Sequence, residues 1–178
     1  MRSRRRVVLA FLPLVVASCG VPIVSGSRFG AGVEPSAPLT FFWNQDRDLV
    51  IGDSRLQNNS FFEDRLHEAI EWELSLRGFR RTADSPDLLI HHHLSLADHE
   101  LVQEIIDQDG LSRTEVYSFE EGTVTVHMVD ARTGETFWVG FGQANIEAAL
   151  RGPIQMQTWV YALVGRMFRN WPVPARTE

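Results

Sequence analysis

The sequence predicts an α+β fold: a two-layer sandwich in which a largely antiparallel sheet of about five strands carries two helices on one face. Three observations lead there. Short β-rich runs are joined by hairpin turns in the second half of the chain. One amphipathic helix follows the first such run, and a second closes the chain. Gly134 and the turn residues around it join neighbouring strands tightly, which makes them antiparallel.

Taken in order, the first ordered run is Leu39-Thr40-Phe41-Phe42-Trp43, aromatic and short, hence a strand. Residues 46–59 are polar and irregular, with a brief apolar run at 49–51. Ser60 and Glu63 then form a capping box, and Phe62, Leu66, Ala69, Ile70 and Leu74 recur at helical spacing. Gly78 supplies a left-handed stop and Phe79 its hydrophobic contact, so the helix spans about 61–77. Pro86-Asp87 opens a strand over 88–97, and residues 98–112 fit either extended strand or helical turn. Strands follow at 114–119 and 123–130, separated by a tight turn at Glu121-Gly122. In the second, Val124, Val126 and Met128 alternate with Thr123, Thr125 and His127. Asp130 to Gly134 is a hairpin loop with Gly134 at positive φ. Residues 135–144 return as a strand whose Gly140 and Gly142 mark a close approach or a bulge. Gly152-Pro153 begins the last helix, with the apolar stripe Met156, Val160, Leu163, Val164, Met167 and Phe168, and Pro172 ends it.

The N-terminal end carries an address. Arg2, Arg4, Arg5 and Arg6 precede an apolar run from Val7 to Ala17, far short of the roughly 20 residues a transmembrane helix needs. Val16-Ala17-Ser18-Cys19 then resembles the bacterial lipobox. In that system the cysteine thiol receives a diacylglycerol, the peptide is cut before it and the new amine is acylated. Cys19 is the chain's one cysteine, so it has no internal disulfide partner, and lipidation explains its place. The alternative is an ordinary signal peptide with a cysteine nearby. Gly20 resembles the outer-membrane class, because Asp at that position favours inner-membrane retention. The adjacent arginines faintly resemble a twin-arginine export signal, but all 17 basic residues here are arginine, so any basic leader would contain them.

The domain plan is therefore a lipoprotein signal peptide at 1–18, a flexible tether at 19–39 rich in Gly, Ser and Pro, a globular domain at 40–172 and a short tail at 173–178. A tether of about 20 such residues lets the domain stand roughly 25 Å from its anchor. Cleavage before Cys19 leaves 13 arginines against 23 acids, a net charge of −10. Such a surface argues against nucleic acid as a partner and leaves membrane affinity to the lipid.

These residues together resemble the domain of unknown function 4136 family of bacterial envelope lipoproteins. The resemblance spans residues 40–172. It rests on Phe42-Trp43, on Leu74 with Arg77-Gly78-Phe79, on Pro86-Asp87-Leu88-Leu89-Ile90 and on Glu120-Glu121-Gly122-Thr123-Val124. It continues through Val129 to Gly134, Trp138-Val139-Gly140 and Asn170-Trp171-Pro172. The family carries no established catalytic residues. The resemblance therefore implies a non-enzymatic envelope role; the lipobox, the tether and the absence of catalytic motifs add the expectation of an interaction or assembly module, without cofactor, with an envelope protein as partner.

One constellation could carry chemistry. On a strand, His91 and His93 project to one face about 7 Å apart, a spacing at which two imidazoles can share zinc. His92 points the other way, into the stripe of Leu88, Ile90, Leu94 and Leu96. A third ligand could be His127, Asp98 or His99. In a simple meander His127 lies two strands away, about 9.6 Å, which strains such a site. The alternative is two surface histidines and one core histidine. Asp107-Gln108-Asp109-Gly110 reads as a turn, since the calcium-loop position that needs Glu is Ser118. No phosphate loop or nucleophile elbow is present in the sequence. Residues 148–177 hold four arginines and no acid, with Trp159, Tyr161 and Trp171; this is either a partner-docking or membrane-facing strip or, the favoured reading, a helix packed on the sheet whose arginines pair the acidic remainder.

Overall fold

The computed structural model describes residues 23–31, 39–44, 49–51, 59–106, 109, 111–147 and 149–171. Cys19, the leader, most of the tether, Pro172 and the tail at 173–178 lie outside the described residues.

The architecture of the described residues is α+β, with seven strands in one mixed sheet and two α-helices. The strands are β1 (Ile23–Phe29), β2 (Thr40–Trp43), β3 (Leu49–Ile51), β4 (Arg80–Arg81), β5 (Leu88–Ile106), β6 (Ser112–Asp130) and β7 (Thr136–Asn145). The helices are α1 (Ser60–Ser75) and α2 (Pro153–Met167). The sheet order is β1-β7-β6-β5-β2-β4, with β3 beside the outer length of β5. The sheet differs from the expectation of five mostly antiparallel strands on its β2 side. There β2 pairs in parallel with both β4 and β5, and β3 pairs in parallel with β5. Parallel neighbours need a crossover, and α1 supplies the one between β2 and β4.

Strand β1 corrects the tether. Residues 23–29 pair antiparallel with β7 from Ile23↔Ala144 to Phe29↔Trp138. The Gly and Ser content that reads as linker here lets an edge strand lie close to β7, where the Phe141 ring sits over Gly26.

Residues 98–106 and 112 are strand as well, and the turn expected at 107–110 falls, but for Asp109, outside the described residues. β5 and β6 form one continuous antiparallel ladder of 19 residues each, so the tight turn expected at Glu121-Gly122 is instead mid-strand. Gly122 is small because the Trp159 ring and Ile146 press against it.

Helix α1 starts one residue earlier than the capping box implies. Asn59 is the cap, and its Oδ1 accepts the Phe62 N–H at 3.1 Å. The stop is as the sequence predicts: Gly78 has φ of +85°, and the N–H of buried Phe79 donates to the Leu74 carbonyl at 3.1 Å. Gly134 likewise sits at φ of +74°, in a loop where Asp130 Oδ1 accepts the N–H groups of Arg132 and Thr133.

Both helices cover one face of the sheet. Leu163 of α2 fills the space over Gly142, and Trp138 lies 4.8 Å from Phe168 and 5.1 Å from Trp171. The core is one cluster from Phe41 and Trp43 through Phe62, Leu66, Ile90, Val126 and Trp138 to Trp171. Trp159 and Trp171 are buried in it, as expected if the last helix packs on the sheet; Tyr161 is exposed. The helices run parallel to each other. Asn59 and Phe61 lie beside Gly152 and Pro153 at one end, and Arg77 donates to the Phe168 carbonyl at the other. Among the described residues no helix is long and apolar enough to cross a membrane.

Candidate metal centre

The opposite face of the sheet carries the three histidines. Strand alternation sends Leu88, Ile90, His92 and Leu94 of β5 toward the helices, and places His91 and His93 on the face away from them. His127 is not two strands away. β6 is the immediate neighbour of β5, and His127 is the cross-strand partner of His91. The meander spacing fails because residues 98–130 contain one hairpin where the sequence suggests an additional strand.

The three rings converge. His91 and His127 stack in parallel, 4°, with centroids 4.9 Å apart. His93 lies 5.4 Å from the first and 5.1 Å from the second. One nitrogen from each ring falls within 4.8 Å of the others. His91 is 8% exposed, while His93 and His127 are half-buried. Burial, and then the neighbouring His93, hold the His127 pKa below the usual imidazole value. A neutral imidazole is the form that ligates a metal.

The other two candidate third ligands are elsewhere. His99 is six residues along β5 from His93, about 20 Å away. Its Nε2 is 2.9 Å from Glu121 Oε1, and its ring stacks on Phe119. Asp98 is exposed and faces the helix side, opposite Glu120.

A tetrahedral zinc with bonds of about 2.0–2.1 Å places its ligand nitrogens about 3.3 Å apart. Side-chain rotation of the half-buried His93 and His127 would bring the present 4.8 Å toward that distance. Three imidazoles leave a fourth position open. The donor set suits zinc, copper or nickel rather than calcium or magnesium, which prefer oxygen. Beside the histidines runs a shallow groove lined by Gly26, Arg28, Thr123, Thr125, Val139 and Phe141.

The third histidine of the run does something different. His92 is in the core, edge-on to His67 of α1 at 5.6 Å. His67 stacks on Trp43 at 3.8 Å, and the Trp43 indole N–H donates to Glu71 at 2.8 Å. Arg81 reaches the same carboxylate oxygen at 3.0 Å. Sequence reasoning missed this edge cluster. Its one signal is that His67 lies one residue from the buried stripe of α1.

A sequence model described as "Domain of unknown function (DUF4136)" matches residues 28–173. No curated protein matches the chain. Among solved structures, the chain is similar to a PDZ domain protein from Parabacteroides distasonis, with 16% identity and a TM-score of 0.53. That match covers 86% of this chain, which spans little more than a third (36%) of that one. It is also similar to PelC from Paraburkholderia phytofirmans, a dodecamer (11% identity, TM-score 0.46, 88% of this chain and 100% of that). A further match is a neuraminyllactose-binding hemagglutinin homologue from Helicobacter pylori (15% identity, TM-score 0.47, 76% and 83%). Likeness at this level speaks to the fold alone.

Proposed function

This chain belongs to the DUF4136 family, and from that premise we propose that it is a lipid-anchored lipoprotein of the bacterial envelope whose domain is a non-enzymatic binding module. Cys19 carries the lipid, and the domain faces the periplasm from the outer membrane. The arginine-rich leader, the short apolar run and the lone cysteine after Val16-Ala17-Ser18 support this reading. The ligand the geometry supports best is a transition-metal ion held by His91, His93 and His127. The single observation that carries it is the convergence of one nitrogen from each ring to within 4.8 Å, on the sheet face that the helices leave uncovered.

Two measurements test the two parts separately. Intact mass of the membrane-extracted protein reads the anchor. A thioether-linked diacylglycerol on an N-terminal Cys19 supports it, and an unprocessed N-terminus overturns it. Calorimetry of the full chain in detergent with zinc reads the site. A Kd tighter than about 10 μM, weakened at least about tenfold by His91→Ala/His93→Ala, supports the metal reading. Equal binding by both forms overturns it. A His127→Ala variant that binds as the wild type does leaves only a two-histidine surface site, which overturns the three-ligand centre.

A further inference from the structure

Beyond Glu120, whose carbonyl accepts the Ile146 N–H, β5 and β6 leave the sheet together. From His99↔Phe119 to Ile106↔Ser112 they form eight residue pairs, and among the described residues no third strand lies beside them. At about 3.4 Å per residue this ribbon projects roughly 25 Å. A two-stranded ribbon is marginal alone in water. This one also bares apolar side chains: Val102 is 64% exposed, Ile106 72% and Val116 56%. All three lie on the helix side of the sheet, in register with Glu100 and Glu104 on the same face. Between residues 99 and 119 the sequence places five acids and one arginine. That arginine, Arg113, is already paired with Glu115 at 2.7 Å.

The far end of the same molecule is its complement. Residues 148–171 hold Arg151, Arg166 and Arg169 and no acid. Arg166 and Arg169 are exposed, and among the described residues neither has an ion pair. Neighbouring α1 bares Trp72 and Leu76, each 59% exposed. Trp72 lies one turn along from Glu68, which meets Tyr161 of α2, so the two helices present one surface. The acids of this end are engaged: Glu71 with Arg81 and Trp43, Glu73 with Arg77. Its own ribbon cannot reach this surface. The helix N-termini lie at the ribbon end, where Trp159 meets Gly122, and Arg166 and Arg169 are at the opposite end.

We propose that the ribbon of one copy docks on the C-terminal end of the helical layer of the next. Val102, Ile106 and Val116 cover Trp72 and Leu76, and Glu100 and Glu104 face Arg166 and Arg169. The contact is head-to-tail, so it propagates around a ring or along a filament rather than stopping at a two-fold dimer. Its footprint is small, and lipid-anchored copies confined to one membrane meet at a high effective concentration that compensates for this.

The test is sedimentation of the full chain in detergent, at several protein and salt concentrations, with charge exchanges. The wild type sediments as oligomers that dissociate on dilution and in high salt. Glu100→Arg/Glu104→Arg and Arg166→Glu/Arg169→Glu each weaken association at least about tenfold, because like charges then face each other. The chain carrying all four exchanges associates again, which also shows that the altered surfaces still fold. A wild type that is monomeric at every concentration overturns the proposal, as does association that neither exchange alters. Loss on exchanging the acids alone, with the arginine exchange silent, assigns the ribbon to another partner and overturns it too.

Discussion

Replacing Gly140 with alanine is the sharpest probe of the packing. A Cβ there would stand 2.2 Å from Cη2 and 2.6 Å from Cζ2 of Trp138. Carbon atoms pack at about 3.5–4.0 Å, so the indole must withdraw by more than 1 Å. It has nowhere to go. The ring is fully buried, with Phe168 4.8 Å and Trp171 5.1 Å from it. Overpacking of this kind costs about 1–3 kcal/mol, and the rigidity of the aromatic cluster puts Gly140→Ala at about 2 kcal/mol or above. For a domain of this size that lowers Tm by about 4–8 °C. Urea unfolding followed by near-ultraviolet circular dichroism reads both the loss and the disturbed tryptophan. Gly26→Ala is the control. Its Cβ meets the Phe141 ring at 2.7 Å, but that ring is 40% exposed and can swing into solvent, so the cost stays below about 0.5 kcal/mol. Trp138→Leu should cost less in the Gly140→Ala background than in the wild type, a coupling of about 1 kcal/mol. Equal costs for the two glycine substitutions, or independence of Gly140 and Trp138, would refute the reasoning.

Asn59→Ala removes the cap of α1 and costs about 1 kcal/mol, whereas Ser60→Ala, at the residue the sequence points to, costs a few tenths in the same unfolding assay. Zinc at a hundredfold excess over its Kd should stabilise the wild type by about 2.7 kcal/mol, and His93→Ala should abolish the rise in Tm seen by calorimetry. The Thr40 N–H and hydroxyl both donate to Asp87 Oδ2, at 2.8 and 2.7 Å, and hold its carboxyl below the usual carboxylate range. A carboxyl lowered by folding contributes stability above its unfolded pKa, near 3.8, and loses it as pH falls through the folded value. Asp87→Asn should therefore flatten the acid limb of stability below about pH 4, read by unfolding across pH, and leave the difference between pH 6 and 8 unchanged.

The local signals in the sequence were sound where a single residue type answers a local demand. Gly78 and Gly134 take the positive φ their turns require, Pro153 starts α2, and His92 turns inward while His91 and His93 turn outward. Pairing was legible only where a hairpin fixes it. The parallel side of the sheet rests on β4, two residues long, and on β2 crossing over α1, and neither leaves a periodic trace. The ribbon was hidden for a different reason. Among the described residues no other strand or helix packs on it, so the apolar-polar alternation that marks a half-buried strand is lost. That ambiguity displaced His127 by one strand, and with it the candidate site. Cys19 and the leader remain a reading of the sequence, outside the described residues.

Where β1 begins has a mechanical consequence. Only three residues, Gly20, Val21 and Pro22, separate Cys19 from Ile23, so the four chain steps span at most about 14 Å when fully extended. A lipid at Cys19 would thus moor the domain by the rim of its sheet, close against the bilayer. Any tug along the chain from the membrane would load the β1–β7 rungs together in shear rather than peeling them one by one.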